Sequence, residues 1–388
     1  MAEIDALALA QELIRCPSVT PEDAGAIEVI VRAIDPLGFR CERLRFEMPG
    51  TAPVENLYAR WGTERPNFCF AGHTDVVPPG DAKAWQANPF VAEIRDGILY
   101  GRGAADMKTA IGAFAAAADR FLKKGKPRGS ISLLITGDEE GPNINGTKRV
   151  LEWLKEKGER LDHCLVGEPT STKCAGDTIK IGRRGSMRVE FVVQGVQGHT
   201  AYPERAINPI PILSALVMRL SEGPLDAGTE HFDPSTLVFT TFDVGNSANN
   251  VSPVAARAVC NIRFNDLQTS DQIIREIKLR ARQLAEETES KISVSATVGG
   301  EAFVTKRGPF TSLLAKAIHR VTNVEPEFST TGGTSDARFI KDYCPVAEVG
   351  LPGATMHQID ECVSLAEITR LTDIYAAILE DYFRSPQA

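Results

Sequence analysis

The sequence is poor in the features that secreted, membrane or nucleic-acid-binding chains depend on. Its eight cysteines (Cys16, Cys41, Cys69, Cys164, Cys174, Cys260, Cys344 and Cys362) are scattered over 388 residues and include no C-x-x-C pair. Neither a disulfide framework nor a cysteine zinc site is expected, and the thiols read as reduced. No stretch approaches about 18 uncharged apolar residues, which excludes a membrane-spanning helix. Met1 to Pro17 carries Glu3, Asp5 and Glu12 among its apolar positions, unlike the basic start and unbroken apolar core of a signal peptide. A cytoplasmic location is therefore expected. Positive charge is also short: 43 Lys and Arg against 51 Asp and Glu leave a net charge of −8, so a phosphate-backbone partner is not expected. There is no internal repeat and no low-complexity tract. Histidine is scarce, six in all, so each can be weighed individually.

What is present is ordinary globular composition, 43% hydrophobic and 24% charged, in a chain long enough for two or three domains. From Asp5 to Gly125 helix-like and strand-like segments alternate, the mark of an α/β layer architecture. Phe68 to Ala71 reads as a short buried strand ending in Gly72-His73-Thr74-Asp75. Gly101 to Asp106 leads into an Ala-rich helix with Ile111, Phe114, Ala118, Phe121 and Leu122 at helical spacing, which places Asp106 at a helix start. Ser130 to Thr136 and Leu161 to Val166 read as further strands, closing in Asp138-Glu139-Glu140 and Gly167-Glu168-Pro169.

After Lys180 the pattern changes to strand (Ser186 to Gly195), helix (Asn208 to Leu220), strands (Thr236 to Val244, Val254 to Phe264), helix (Ser270 to Glu287) and strand (Lys291 to Val298). That order is βαββαβ, the ferredoxin-like unit, and it interrupts an α/β pattern that resumes with a helix near Phe310 to Val321. The expected division is 1–180 with 300–388 as a discontinuous catalytic domain, and 181–299 as an inserted domain.

Five polar clusters sit at strand ends or helix starts: His73/Asp75, Asp106, Glu139/Glu140, Glu168 and His357. Ligands of open α/β sheets gather beyond the carboxyl ends of the strands, so all five can converge. Imidazole and carboxylate suit zinc, and two ions need one bridging carboxylate plus terminal ligands on each side. Two histidines and three carboxylates meet that count and leave one carboxylate free to act as a base.

These residues carry a resemblance. His73-Thr74-Asp75, Tyr100 to Lys108, Asp138-Glu139-Glu140-Gly141 and Gly167-Glu168-Pro169-Thr170 resemble the signatures of the dinuclear zinc deacylases and carboxypeptidases, the family of aminoacylase and acetylornithine deacetylase, over essentially the whole chain. Asp177 to Ser186, Thr331 to Phe339 and His357 to Val363 are most similar to the branch that hydrolyses N-succinyl-diaminopimelate, a step toward lysine and cell-wall precursors. The resemblance implies a zinc-exopeptidase-like catalytic domain, a mixed sheet flanked by helices, with the inserted unit as a dimerisation and lid domain. It implies two zinc ions per subunit, replaceable by cobalt or manganese. His73 and Glu168 would hold one ion, Glu140 and His357 the other, and Asp106 both. Glu139 would be the general base toward a water shared by the ions, and Asp75 would accept the second imidazole N–H of His73. The peptide bond after Asp106 is commonly cis in such proteins.

From Gly198-His199-Thr200 the resemblance implies that His199 stabilises an oxyanion in the partner subunit's site, hence a homodimer joined through the inserted domain. A small dicarboxylate substrate needs cationic clamps, and Arg184, Arg263, Asn249 and Asn250 match the family's substrate-contacting positions, with Gly333 and Thr334 as further candidate contacts. Gly332-Gly333-Thr334, leading into a helix of Asp336 to Ile340, offers backbone N–H groups. Gly353 stands where several relatives carry asparagine, so no side-chain contact is expected there. The alternatives are an N-acetylornithine or other N-acyl amino acid deacylase and, more distantly, a noncatalytic binding or regulatory dimer. His163, His231 and His319 are expected to be structural or exposed, Asp138 to make local hydrogen bonds, Arg183 to face solvent, and Cys362 to act as a small hydrophobe.

Overall fold

The computed structural model describes residues 3–384. By internal contact these form two units, one of residues 3–181, 305–329 and 335–384, the other Gly182–Val304 with Thr330–Thr334.

The first unit is built on an eight-stranded mixed sheet. In spatial order its strands are Arg40–Phe46, Val54–Trp61, Ser130–Thr136, Asn67–His73, His163–Val166, Val346–Glu348, Thr178–Lys180 and Glu327–Ser329. Asn67–His73 runs parallel to both neighbours, with His73 beside Thr136 and Ala71 beside Val166. It is buried at every position, as is Ser130–Thr136. Such uninterrupted burial belongs to strands covered on both faces, and it explains the unbroken apolar run from Phe68 to Ala71. Because the three strands run in one direction, the residues following each emerge at one sheet edge. That edge carries Thr74-Asp75, Asp138 to Glu140 and Gly167-Glu168.

Helix Lys108–Lys123 is buried from Lys108 to Asp119. Its Phe114 stacks on Phe70 at 4.3 Å between ring centres and meets Tyr375 of helix Leu365–Arg384 edge-on at 5.9 Å. Aromatic pairs of this kind add about 0.5–1.5 kcal/mol each beyond the area they bury. Gly112 faces helix Ala6–Ile14 so closely that a Cβ would lie 2.7 Å from the Ala6 carbonyl oxygen. Asp5 caps that helix, its carboxylate accepting from the N–H groups of Leu7 and Ala8. The Ala-rich helix begins at Lys108, two residues later than the sequence suggested, which leaves Asp106 in the preceding turn rather than in the helix. The peptide bond between Asp106 and Met107 is cis.

The second unit is an antiparallel four-stranded sheet in the order Thr236–Asp243, Ala255–Phe264, Gly185–Gln194, Lys291–Gly300. With helices Pro209–Ser221 and Ser270–Glu287 the chain order is βαββαβ. Alternate residues Met187, Val189, Phe191 and Val193 pack with Ala256, Ala258, Cys260 and Ile262 against Leu213, Leu216, Ile273 and Ile277. Period 2 in the strands and period 3.6 in the helices therefore meet on one face. Thr269 opens the second helix with a reciprocal capping box to Gln272. At the root of this unit Gly182–Arg183 pairs with Phe303–Val304, and in the first unit the Thr305 N–H donates to the Ile181 carbonyl at 2.6 Å.

Arg183 corrects an expectation. It is only 7% exposed, and its guanidinium donates to the Gly333 carbonyl at 3.1 Å. Pairing with Phe303 on a short strand turns it inward. The helix expected at Asp336 to Ile340 is a single turn, Ala337–Ile340, with Asp336 at its N-cap, too short to offer an anion site. Among the described residues no helix is long and apolar enough to cross a membrane.

Candidate metal centre

Beyond the carboxyl edge of the parallel strands, two histidines and four carboxylates converge in the first unit. His73 Nε2 lies 3.1 Å from Asp106 Oδ1 and 3.7 Å from Glu168 Oε1. His357 Nε2 lies 2.7 Å from Glu140 Oε1 and 3.3 Å from Asp106 Oδ2. Each oxygen of Asp106 thus faces a different imidazole, and each imidazole has a glutamate of its own. Donor atoms of His73, Asp106 and Glu140 lie within 4.8 Å of one another, as do those of His73, Glu139 and Glu168. His73 and Asp106 are buried, whereas the His357 side chain is 45% exposed. His357 has φ of 63°, an uncommon backbone conformation for a residue with a Cβ.

The electrostatics of this cluster suit a cation. Burial alone would lower the His73 imidazole, but the Asp106 hydrogen bond and the charges of Glu168, Asp106 and Asp75 outweigh it and hold it well above its ordinary range. Hydrogen bonds that the Asp106 and Glu140 carboxylates accept from its imidazole raise His357 to about 10. Burial pushes the Glu139 carboxyl well up, with the charges of Glu168 and Asp336 adding to the effect. The donor set therefore demands positive charge at the imidazole nitrogens, which divalent cations supply. Imidazole and carboxylate donors of this number fit zinc.

Asp75 is placed differently from the expectation. The closest partner of His73 Nδ1 is the main-chain oxygen of Asp75 at 2.9 Å, while the carboxylate Oδ1 is 3.6 Å away. That carboxylate instead accepts the main-chain N–H groups of Glu139 at 3.2 Å and Glu140 at 3.0 Å, and the Thr20 hydroxyl at 2.7 Å. Burial, opposed by His73 and these hydrogen bonds, brings Asp75 up to about 6. Asp138, buried beside them, closes its own turn by accepting from the N–H groups of Ile144 and Asn145. Three residues escaped the sequence reading. Thr20 supports Asp75, and Arg102 and Glu361 form a buried ion pair at 2.6 Å. Arg102 and Glu361 lay inside the quoted motifs, but nothing in their spacing announces a pair 259 residues apart.

The other candidate residues all belong to the second unit. His199, on a two-residue strand paired with Val251–Ser252, is exposed, and its Nδ1 accepts from the Ala201 N–H at 3.0 Å. Asn249 and Asn250 are exposed in the adjoining turn, where the Asn250 carbonyl accepts the Thr200 N–H. Arg263 is paired across the sheet with Ser186, and Arg184 directly precedes that strand, so the two arginines share one end of neighbouring strands. Gly333 and Thr334 lie in the short segment Thr330–Thr334. Of the remaining histidines, His163 packs against Phe310 and bonds the Tyr382 hydroxyl at 3.0 Å, and His319 faces Glu325 at 3.2 Å.

The chain belongs to peptidase family M20/M25/M40, whose model matches residues 69–381. Within the family it is 55% identical to the succinyl-diaminopimelate desuccinylase of Parvibaculum lavamentivorans, covering 98% of this chain and 96% of that protein. It is 54% identical to the enzyme of the same name from Phenylobacterium zucineum, covering 98% and 99%. Among solved structures, the M20 family metallo-carboxypeptidase Sso-CP2 of Sulfolobus solfataricus has the same fold, with a TM-score of 0.79 at 16% identity over 98% of this chain and 100% of that one.

Proposed function

We propose that this chain is a metal-dependent amide hydrolase that converts N-succinyl-LL-2,6-diaminopimelate and water to succinate and LL-2,6-diaminopimelate. One observation carries the hydrolase reading: the two oxygens of Asp106 face His73 and His357 at 3.1 and 3.3 Å, each imidazole with its own glutamate. The substrate follows from identity above one half, over nearly the whole chain, to desuccinylases.

In this reading His73 and Glu168 would hold one zinc, Glu140 and His357 would hold the second, and Asp106 would serve both; cobalt or manganese could take their place. When bound, the ions act as Lewis acids that polarise the amide carbonyl and acidify water. Glu139 takes the proton of the attacking water and passes it to the departing amine nitrogen. Asp75 fixes the turn that presents Glu139 and Glu140 side by side. Arg184 and Arg263 pair with substrate carboxylates, assisted by Asn249, Asn250, Gly333 and Thr334.

The second unit would act as a dimerisation and lid domain. Its edge strand exposes Val238 and Phe242, and helix Pro209–Ser221 exposes Met218, an apolar set that a second copy would cover. His199 would then serve the partner subunit's site, donating to the developing oxyanion. The cytoplasm is the compartment that suits its unpaired thiols.

Steady-state kinetics on zinc-loaded protein test the reading. N-succinyl-diaminopimelate should be the preferred substrate, and Glu139→Gln should abolish turnover while zinc uptake persists. Preference for N-acetylornithine would overturn the substrate, and full turnover by Glu139→Gln would overturn the base.

A further inference from the structure

Arg102 is 2% exposed and Glu361 is completely buried, yet the hydrogen bonds of this pair end largely on main-chain atoms of two distant loops. Glu361 Oε1 accepts the N–H groups of Ala105 at 2.9 Å and Asp106 at 3.0 Å. Its Oε2 accepts from Arg102 at 2.6 Å. The same guanidinium donates to the carbonyls of Gln358 at 3.2 Å, His357 at 3.3 Å and Pro78 at 3.4 Å. A buried ion pair is weak evidence for stability, because desolvation offsets most of its attraction. Here the wiring indicates a different purpose. One carboxylate grips the main chain of Asp106, one guanidinium grips the main chain of His357, and the two grips are bonded to each other. The left-handed backbone of His357 shows a loop held where its side chain is needed.

We infer that the Arg102–Glu361 pair is a positioning device that sets the separation between Asp106 and His357, and with it the affinity of the metal site those residues share. The inference rests on the proposal that both residues are metal ligands. Arginine suits the task because its planar fork serves several acceptors at once, whereas lysine is a single point charge.

The test is zinc titration of the chelator-stripped full-length protein against a chromophoric competitor, with thermal unfolding of the metal-free form recorded in parallel. Wild type should take up two ions in two steps. Arg102→Lys keeps a charge for Glu361 but abandons the carbonyls of His357 and Gln358, so one step should weaken by about 10–100-fold and the other should hold. Glu361→Gln turns an amide N–H toward Arg102 or toward the Asp106 loop, so both steps should weaken. Arg60→Lys, which disturbs the Arg60–Glu159 pair elsewhere in the same unit, is the control for a general loss of stability. It should lower the unfolding temperature and leave zinc affinity alone. If Glu361→Gln does not fold, Arg102→Lys carries the test. Wild-type affinity at both sites in Arg102→Lys, or an equal loss in Arg60→Lys, would overturn the inference. Uptake of fewer than two ions by wild type would instead overturn the ligand assignment and remove the ground beneath it.

Discussion

Asp75→Asn is the substitution that separates two accounts of one carboxylate. If Asp75 served only to fix the His73 tautomer, an amide oxygen could still accept the imidazole N–H and the change would be mild. The structure gives it other work. Its two oxygens receive the N–H groups of Glu139 and Glu140, one each, with the Thr20 hydroxyl as a third donor. An asparagine offers one oxygen and one NH2 group. Thr20 can rotate to accept from the NH2 group, but whichever way the amide turns, one main-chain N–H faces another donor in a fully buried place. Losing a charge-assisted hydrogen bond and orphaning a buried donor costs about 2–3 kcal/mol. For a unit of this size that lowers Tm by roughly 4–10 °C. The displaced turn carries Glu139, the proposed base, and a shift approaching 1 Å at a reacting group costs about 100-fold in kcat with KM little changed. Differential scanning fluorimetry and steady-state kinetics on zinc-loaded protein would measure both. A Tm change under about 2 °C together with kcat within about threefold of wild type would refute the reasoning.

Gly112→Ala would place a methyl group 2.7 Å from the Ala6 carbonyl oxygen and should destabilise by about 1–3 kcal/mol through forced separation of two helices, read as a lower urea midpoint. His163 is held below its ordinary range by burial, with Asp162 opposing. The unfolded chain therefore binds its proton first as pH falls, so stability should be complete above the ordinary imidazole range and decline below it. His163→Asn should flatten that part of a urea-midpoint profile between pH 8 and pH 5; an unchanged slope would remove His163 from the account. If His199 serves the partner subunit, mixing inactive Glu139→Gln and His199→Ala dimers under exchanging conditions should restore about a quarter of wild-type activity, since half the dimers are hybrids with one intact site. Action within its own subunit would restore none.

How much of this was legible depended on whether a signal was local. The buried strand at Phe68 to Ala71, the Ala-rich helix and the βαββαβ unit were readable because periodicity and glycine punctuation are properties of neighbouring residues. The convergence of His73, Glu140 and Glu168 was readable because parallel strands deliver their ends to one edge, whereas Asp106 and His357 come from loops and were placed with them by the resemblance of their motifs. Direction was not legible. Asp75 stands two positions after His73, but that spacing does not say that a main-chain oxygen meets the imidazole while the carboxylate turns to Glu139 and Glu140. Arg183 and Arg184 look alike in sequence, and only pairing with Phe303 turns the first inward. Arg102 and Glu361 were hidden for a simpler reason: an ion pair closed across most of the chain leaves no periodic trace.

The hydrogen bond between Thr305 and Ile181, with the short pairing of Gly182–Arg183 to Phe303–Val304, has an evolutionary meaning. The insertion is pinched shut at its own root. A long gap in the gene is therefore no gap in the scaffold, because the two ends it leaves behind already touch. The framework that gathers the carboxylates is closed whatever the second unit carries. Among the described residues only Thr330–Thr334 joins that unit from later in the chain. Selection can thus alter the second unit without reopening the fold that gathers the carboxylates.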